Sequence, residues 1–581
     1  MSEELRISHE RVDDIPVLVA QLEKMGVAPL LDAHFPTHGN WQGLSLGRVV
    51  SVWLTFILSE ANHRLSHVEP WAAARLTTLG AGVGAPVRAL DVSDDRLAAV
   101  LDYLSADEPW QAFEQALTTQ LLRVYDLHPQ RVRIDSTTTK GYRSVTPEGL
   151  FQLGHSKDHR PDLAQVKINL SVLDPLGLPL TTTVVSGERA DDPLYVPEIQ
   201  RVQASIGRRG LTYVGDCKMA ALRTRATVAA SGDYYLCPLA SPQVPAAELA
   251  ALLAPVWQGE QQLKRIYRPE AGTGPKPHRI AEGYEYRIPL TAQVGEQIVA
   301  WTERRLVVRS LKLAASQEQA VRRRLSQALS ELTALNERRQ GKKRFTVAAD
   351  LWAAAEQIVA TRRVGGMIVL TVETQTVERP RRRYGSRPPE VEVQHPCTVT
   401  ARVDEAALAE TLRRLGWRVY VTNQPARQLT LTQAVLAYRA EYLVEHGFGR
   451  LKGKPLALTP LYLDSDARVT GLIRVLTIGL RVLTLLEFGA RRQLQAQGQT
   501  VAGLYPGNPK RATARPTTEL MLRAFEGLTL THLDTGAHVQ VYLTPLSAVQ
   551  QRLLEVLGLP PTIYGCLTHH CSEPILNLSE P

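Results

Sequence analysis

Apolar residues recur every three to four positions through residues 1–128, in VDDIPVLVAQLEKMGVAPLLDAHF, LSLGRVVSVWLTFILSEANHRLSHVEPWA and SDDRLAAVLDYLSADEPWQAFEQALTTQLLRVYDL. That period predicts an all-α N-terminal region, with Ser93 capping a helix whose first turn is acidic. At residue 131 the period changes. RVRID is a short strand-like run ending on Asp135, and a polar stretch follows it. In QVKINLSVLD, Val166, Ile168, Leu170 and Val172 alternate with Lys167, Asn169 and Ser171, which predicts a strand with one buried face. PLG turns the chain, and LPLTTTVVSG reads as the antiparallel partner. A helix over about 193–207 leads into LTYVGD, which ends on Asp216.

Strand, strand, strand, helix, strand, with acids closing the first and fourth strands, is the order of a ribonuclease-H-like α/β core. Residues 240–415 interrupt it with further strands, a charged helix and two basic runs. WRVYVTN at 417–423 reads as the last core strand. The expected organisation is therefore a helical domain at 1–128, a first core part at 129–239 and a β-rich, basic insertion at 240–415. A second core part with the acidic helix at 416–495 and a C-terminal region at 496–581, suited to dimerisation or DNA contact, complete it.

Two aspartates at strand ends can be aimed at one cleft, and a helix laid across those ends can bring Glu445 to them. Carboxylates drawn together repel unless a divalent cation lies between them. Such a cluster suits two-metal phosphodiester chemistry, which points to an enzyme acting on nucleic acid. Tyr438, Glu441, Glu445 and Lys452 are spaced by three, four and seven positions, which predicts one helical face. Gly447 and Gly449 weaken that helix by about 1 kcal/mol each, and close approach of a nucleic-acid backbone is a reason to have them.

Composition narrows the partners. The 581 residues hold 67 Lys and Arg against 58 Asp and Glu, and the net charge of +9 favours polyanions. The basic runs lie around Arg322–Arg324 and at Arg381, Arg382 and Arg383, where Tyr384 adds an aromatic ring for phosphate-proximal contact. The apolar run at 49–58 is too short to span a bilayer, the N-terminus lacks signal-peptide character, and five cysteines make no disulfide framework. These features predict a cytoplasmic, nucleoid-associated protein with no membrane partner.

The same residues resemble the DDE transposases of bacterial insertion sequences, in the "insertion sequence four" branch, whose signature is Y-(2)-R-(3)-E-(6)-K. Here it reads Tyr438, Glu441, Glu445 and Lys452, so glutamate stands where the signature has arginine. GHSKDHRPDLAQVKINLSV, GDCKMAA, VTNQ and TELMLRAFEGLTL also resemble this branch. The resemblance implies that Asp135, Asp216 and Glu445 bind two Mg²⁺ ions, with Mn²⁺ able to substitute, for cleavage and strand transfer. It implies double-stranded DNA partners (terminal inverted repeats and target) and a homodimer in a synaptic complex. Tyr438 and Lys452 would position phosphates, Arg450, Lys157, His159 and Arg160 would contact DNA, and Trp301 or Trp352 would stack on a flipped base. Other readings of these residues are a catalytically silent DNA-binding relative, which Glu441 motivates, and a metal-dependent nuclease on the same fold. His155 and His159 belong to a loop rather than a zinc site, Cys566, His569, His570 and Cys571 form no standard zinc knuckle, and Asp191 and Asp192 read as turn residues.

Overall fold

The polar opening segment, which has no apolar alternation, folds as strand β1 (Arg6–Arg11) and pairs antiparallel with Thr529–Asp534, Arg6 opposite Asp534. The structure is a computed structural model that describes residues 5–157, 160–268, 278–337, 344–381, 390–459, 461–536 and 538–569. Tyr564 reinforces the join between the chain's two ends by donating its hydroxyl to the Asp13 carbonyl at 2.8 Å. Two compact units result. The first comprises Met1–Cys237, Leu290–Trp301 and Ala437–Pro581, and the second Pro238–Pro289 and Thr302–Leu436.

In the first unit, helices Ile15–Met25, Leu46–Glu60, Asp94–Leu104 and Asp107–Val124 form as the periodic pattern predicts. Ser93 stands at the start of the third, although its side chain makes no capping bond. The expected separate domain at 1–128 is not what these helices build. They share a core with the long helix Asp466–Gln497, which runs against Asp94–Leu104. Gly471 permits that approach, because a Cβ there would stand 2.2 Å from the Leu101 carbonyl oxygen. The long helix is apolar enough to cross a membrane, yet 94% of its most apolar window is buried inside the protein. Its inward charges are paired: Arg481, fully buried, donates to Glu114 at 2.7 Å and to the carbonyls of Pro179 and Leu180 at 3.0 and 3.1 Å. Arg474 similarly meets Asp107 and the Leu104 carbonyl.

Between these helical segments lie five strands: β2 (Arg131–Lys140), β3 (Gln165–Asp174), β4 (Leu178–Ser186), β5 (Thr212–Val214) and β6 (Tyr234–Pro238). Their spatial order is β4-β3-β2-β5-β6. The β2–β3 and β3–β4 pairs are antiparallel, while β2–β5 and β5–β6 are parallel, so the sheet is mixed. The helix Tyr195–Ile206 makes the crossover from β4 to β5. Every residue of β3 is buried, not one face as its alternation predicts. Helices Asp107–Val124, Tyr195–Ile206 and Asp466–Gln497 pack on β4, and Tyr442–Lys452 packs on β2 and β3. The polar positions of β3 therefore find buried partners, Ser171 donating to Glu198 at 2.9 Å and Lys167 to Asp191 at 2.7 Å.

The second unit is wider than the predicted insertion, 238–289 plus 302–436 instead of 240–415, and it is not simply β-rich. Helices Leu311–Ala334 and Ala348–Thr361 pack on the hairpin Ile368–Thr374 with Cys397–Val403, enclosing Leu332, Leu351 and Ala355. Trp417–Thr422 is a strand as expected, and it belongs to this unit, antiparallel to Gln297–Ser310. Arg381 closes the strand Val377–Arg381, which pairs with Glu390–Gln394, while Arg382 and Arg383 lie outside the described residues.

Two stability effects follow from buried acids. Removing Glu114 leaves the Arg481 charge without its carboxylate, so Glu114→Ala should destabilise the protein by about 3–5 kcal/mol in chemical unfolding. Asp14, 6% exposed, accepts from Ser59 at 2.6 Å, and burial, aided by Asp13 and Glu60, raises its carboxyl to about 7. A raised acid stabilises fully below its unfolded value of 3.8, and that contribution is lost progressively as pH rises through about 7. Its loss amounts to roughly 4 kcal/mol above that point. Asp14→Asn should flatten the fall in unfolding free energy between pH 4 and pH 8, and an unchanged pH profile would exclude this role.

Candidate active site

The parallel pairing of β2 with β5 sets Arg133 opposite Val214, and two residues further along each chain stand Asp135 and Asp216. Both aspartates are half-buried. Burial raises the Asp135 carboxyl above its ordinary range and Asp216 adds to this, while Lys157 and the Ser136 amide oppose it. Asp135 Oδ1 accepts from the Ser136 amide at 2.8 Å and from Lys157 Nζ at 3.3 Å. Asp216 Oδ1 accepts from the Tyr195 hydroxyl at 2.7 Å and the Lys218 amide at 2.8 Å. Gly215 leaves room for Tyr195, since a Cβ there would lie 2.9 Å from the tyrosine ring. Burial and the two aspartates hold the Tyr195 phenol well above its usual range, so it keeps its proton and donates.

The helix expected to carry Tyr438, Glu441, Glu445 and Lys452 on one face is broken. Leu431–Arg439 ends, the chain turns through Ala440 and Glu441, and Tyr442–Lys452 begins. Tyr438 is therefore on the preceding helix, and Lys452 ends the following one. Two contacts lay this segment along β2. Arg133 donates to the Ala437 carbonyl, and Thr139 shares a hydroxyl hydrogen bond of 3.0 Å with Thr459. Arg133, Asp135 and Thr139 alternate onto the same side of β2, so residues 437–459 run over the side that bears Asp135. Burial raises the Glu441 carboxyl, and Asp135, Glu445 and Asp216 raise it further, against the pull of Arg133. Glu441, in the place of the signature arginine, is thus an additional acid beside the aspartates. Glu445 is exposed one turn further on. Among the described residues, no three His, Cys, Asp or Glu side chains converge tightly enough to hold a metal ion by themselves.

Three expectations about basic residues change. Arg450 does not face a DNA surface: it is 6% exposed, bonded to Glu519 at 2.8 Å and also paired with Glu487. Lys157 is engaged with Asp135 and with the Ser136 hydroxyl at 3.1 Å and carbonyl, so it balances the acidic site's charge. Arg160 is exposed but forked onto Asp162 at 2.7 Å. His159 lies outside the described residues. Trp301 donates its indole N–H to Tyr235 at 2.8 Å, whereas Trp352 is 40% exposed on the second unit. Gly447 and Gly449 are not demanded by packing, since a Cβ at Gly447 would reach Leu480 only at 3.7 Å and one at Gly449 would meet nothing within 4 Å.

The sequence reading missed Ser136, Lys167, Asp191 and Tyr195. Asp191, read as a turn residue, accepts from Ser136 at 2.9 Å and from Lys167 at 2.7 Å. Burial opposes its ionisation, but Lys167 and Ser136 prevail and lower its carboxyl. The available signal was the strand register, because Ser136 and Lys167 alternate onto the side of the sheet opposite Asp135.

No family model matches this chain, and no curated protein matches it. Among solved structures, it is similar to a piggyBac transposase synaptic complex with hairpin DNA, at 8% identity and a TM-score of 0.32, over 99% of this chain and 89% of that one. At that score the overlap carries no inference about fold or activity.

The electrostatics of the pair are open to direct measurement. In metal-free protein, Lys157→Met should move the Asp135 carboxyl further up and Asp216→Asn should move it down. Side-chain carboxyl NMR titration reads both, and shifts of the opposite sign would contradict the arrangement.

Proposed function

We propose that this chain is a DNA transposase that cleaves insertion-sequence ends and joins them to target DNA. The observation that carries the reading is the parallel β2–β5 register, which aligns Asp135 with Asp216 beneath the segment bearing Glu441 and Glu445. The order β4-β3-β2-β5-β6, two antiparallel pairs followed by two parallel ones, supports a ribonuclease-H-like core. The donor set fits a hard cation of the Mg²⁺ type, which binds through one or two carboxylates and completes its shell with water and phosphate. Asp135, Asp216 and Glu445 are the residues proposed to hold Mg²⁺, two ions in the full reading, with Mn²⁺ able to replace it. When bound, Mg²⁺ activates a water or 3′-hydroxyl and stabilises the departing oxygen.

The protein's own part is positional. β2 and β5 hold the two carboxylates side by side, and the segment after Arg439 brings further acid over them. Lys157 balances their charge, and Lys452 and Tyr438 are the residues proposed to steady phosphates. The net charge of +9 favours a double-stranded DNA partner. Transposition of two ends calls for a synaptic homodimer.

Cleavage and joining of a DNA carrying the element's ends, with Mg²⁺ or Mn²⁺, tests the reading. Wild type should excise and join, while Asp135→Ala, Asp216→Ala and Glu445→Ala bind the ends and lose at least 10³-fold in rate, on the scale of lost transition-state stabilisation. Binding without cutting in wild type would favour the silent relative, and cutting without joining would favour the nuclease.

A further inference from the structure

The five residues 191–195, which lead from the turn after β4 into the first residue of the crossover helix, touch both aspartates' surroundings at once. Asp191 accepts from the hydroxyl of Ser136 at 2.9 Å, the residue that follows Asp135. Lys167 locks Asp191 in place at 2.7 Å, with its ammonium also on the Arg189 carbonyl. Four residues on, Tyr195 donates to Asp216 Oδ1 at 2.7 Å and receives the Asp216 amide at 3.4 Å. Asp192 lies 3.6 Å from Lys218, two residues past Asp216. The backbone is braced as well, since the Leu194 amide donates to the Asp191 carbonyl at 3.0 Å.

The consequence is visible in the aspartates themselves. On each, Oδ1 takes the protein's hydrogen bonds: Ser136 and Lys157 on Asp135, Tyr195 and Lys218 on Asp216. Among the described residues, Oδ2 of neither aspartate accepts a hydrogen bond. A carboxylate with one oxygen fixed and the other uncommitted cannot spin freely, and it presents a single directed lone-pair set. Within the bracket Tyr195 holds Asp216 directly, while Asp191 holds the Ser136 side chain next to Asp135, so the one segment bears on the angle between the two uncommitted oxygens.

We propose that Asp191 and Tyr195 are positioning residues: the Asp191–Tyr195 bracket orients the Asp135 and Asp216 carboxylates so that their Oδ2 atoms together receive a divalent cation. This rests on the reading of that pair as the cation-binding site. Neither positioning residue touches the cation. Tyr195 acts through Asp216, and Asp191 acts through Ser136, the neighbour of Asp135 in the middle of β2. Hydrogen-bond partners of metal-binding side chains commonly contribute 10–100-fold to affinity, which sets the size of effect to expect.

The test is Mn²⁺ binding to the full chain without DNA, followed by titration calorimetry and by the Mn²⁺ paramagnetic resonance spectrum. Tyr195→Phe and Asp191→Asn keep volume and shape, and a thermal unfolding scan of each establishes that the fold is retained. Expected is a loss of Mn²⁺ affinity of about tenfold or more in both variants, measured well below each variant's unfolding midpoint and with an altered resonance line shape. Asp162→Asn, which loosens only the exposed Arg160 pair, should bind as wild type does. If Asp135→Ala and Asp216→Ala abolish binding while Tyr195→Phe and Asp191→Asn bind as wild type, the bracket is overturned and the cation site stands. If Asp135→Ala and Asp216→Ala themselves bind Mn²⁺ normally, the cation-site reading fails and the bracket falls with it.

Discussion

The Arg133 guanidinium is the fastening on which the acidic site depends. It leaves β2, pairs with Asp174 of β3 at 2.8 Å, and donates to the carbonyl of Ala437, a residue 304 positions away in sequence. It is 3% exposed, so all of its donors must be met by protein or lost at a cost of kilocalories. Burial lowers its proton affinity and Asp174 opposes that fall without cancelling it, and the guanidinium donates to the Ala437 carbonyl. That bond draws the turn at Ala440–Glu441 over β2, and Glu441 comes with it. Without this anchor, nothing in the local sequence of 437–452 would specify which strand the acidic helix covers.

Three buried guanidinium groups of the first unit are handled by the same means. Arg481 with Glu114, Arg450 with Glu487 and Glu519, and Arg133 with Asp174 each bury a guanidinium against a carboxylate and a nearby carbonyl or second acid. Each joins segments far apart in the chain. A planar, permanently charged fork suits such joints, because it satisfies several acceptors in one fixed geometry. Arg450 shows how this misleads a reading from sequence: a basic residue in a signature-like helix looks like a phosphate contact until its two acids, 37 and 69 positions away, are located.

Local physics made much of the architecture legible. The change of hydrophobic period at residue 131, the alternation in QVKINLSVLD and the turn before LPLTTTVVSG are short-range signals. β3 and β4 form where they predict, while β2 begins at 131 but runs on through the polar residues 136–140 because β3 pairs with them. The helical start was equally plain. β1 was not, since RISHER has no apolar face and becomes a strand only by pairing with Thr529–Asp534. The full burial of β3 was hidden for a related reason: its polar residues are covered because partners such as Glu198 and Asp191 come from outside the strand.

By itself the sequence determined that Asp135 and Asp216 each follow a short apolar run, a local pattern. Where the strands end was decided by pairing, since β3 carries β2 on through residues 136–140 and leaves Asp135 within the strand, while Asp216 lies two residues past β5. Tertiary structure decided how those acids are oriented and which others join them. The parallel register sets Asp135 beside Asp216, the break at Ala440–Glu441 separates Tyr438 from the helix of Glu445, Tyr195 at the start of the expected helix holds Asp216, and Asp191, marked only as a turn residue, holds Ser136. The physical reason is that side-chain direction is set by hydrogen bonds and packing between residues distant in the chain, and periodicity along the chain carries no record of those partners.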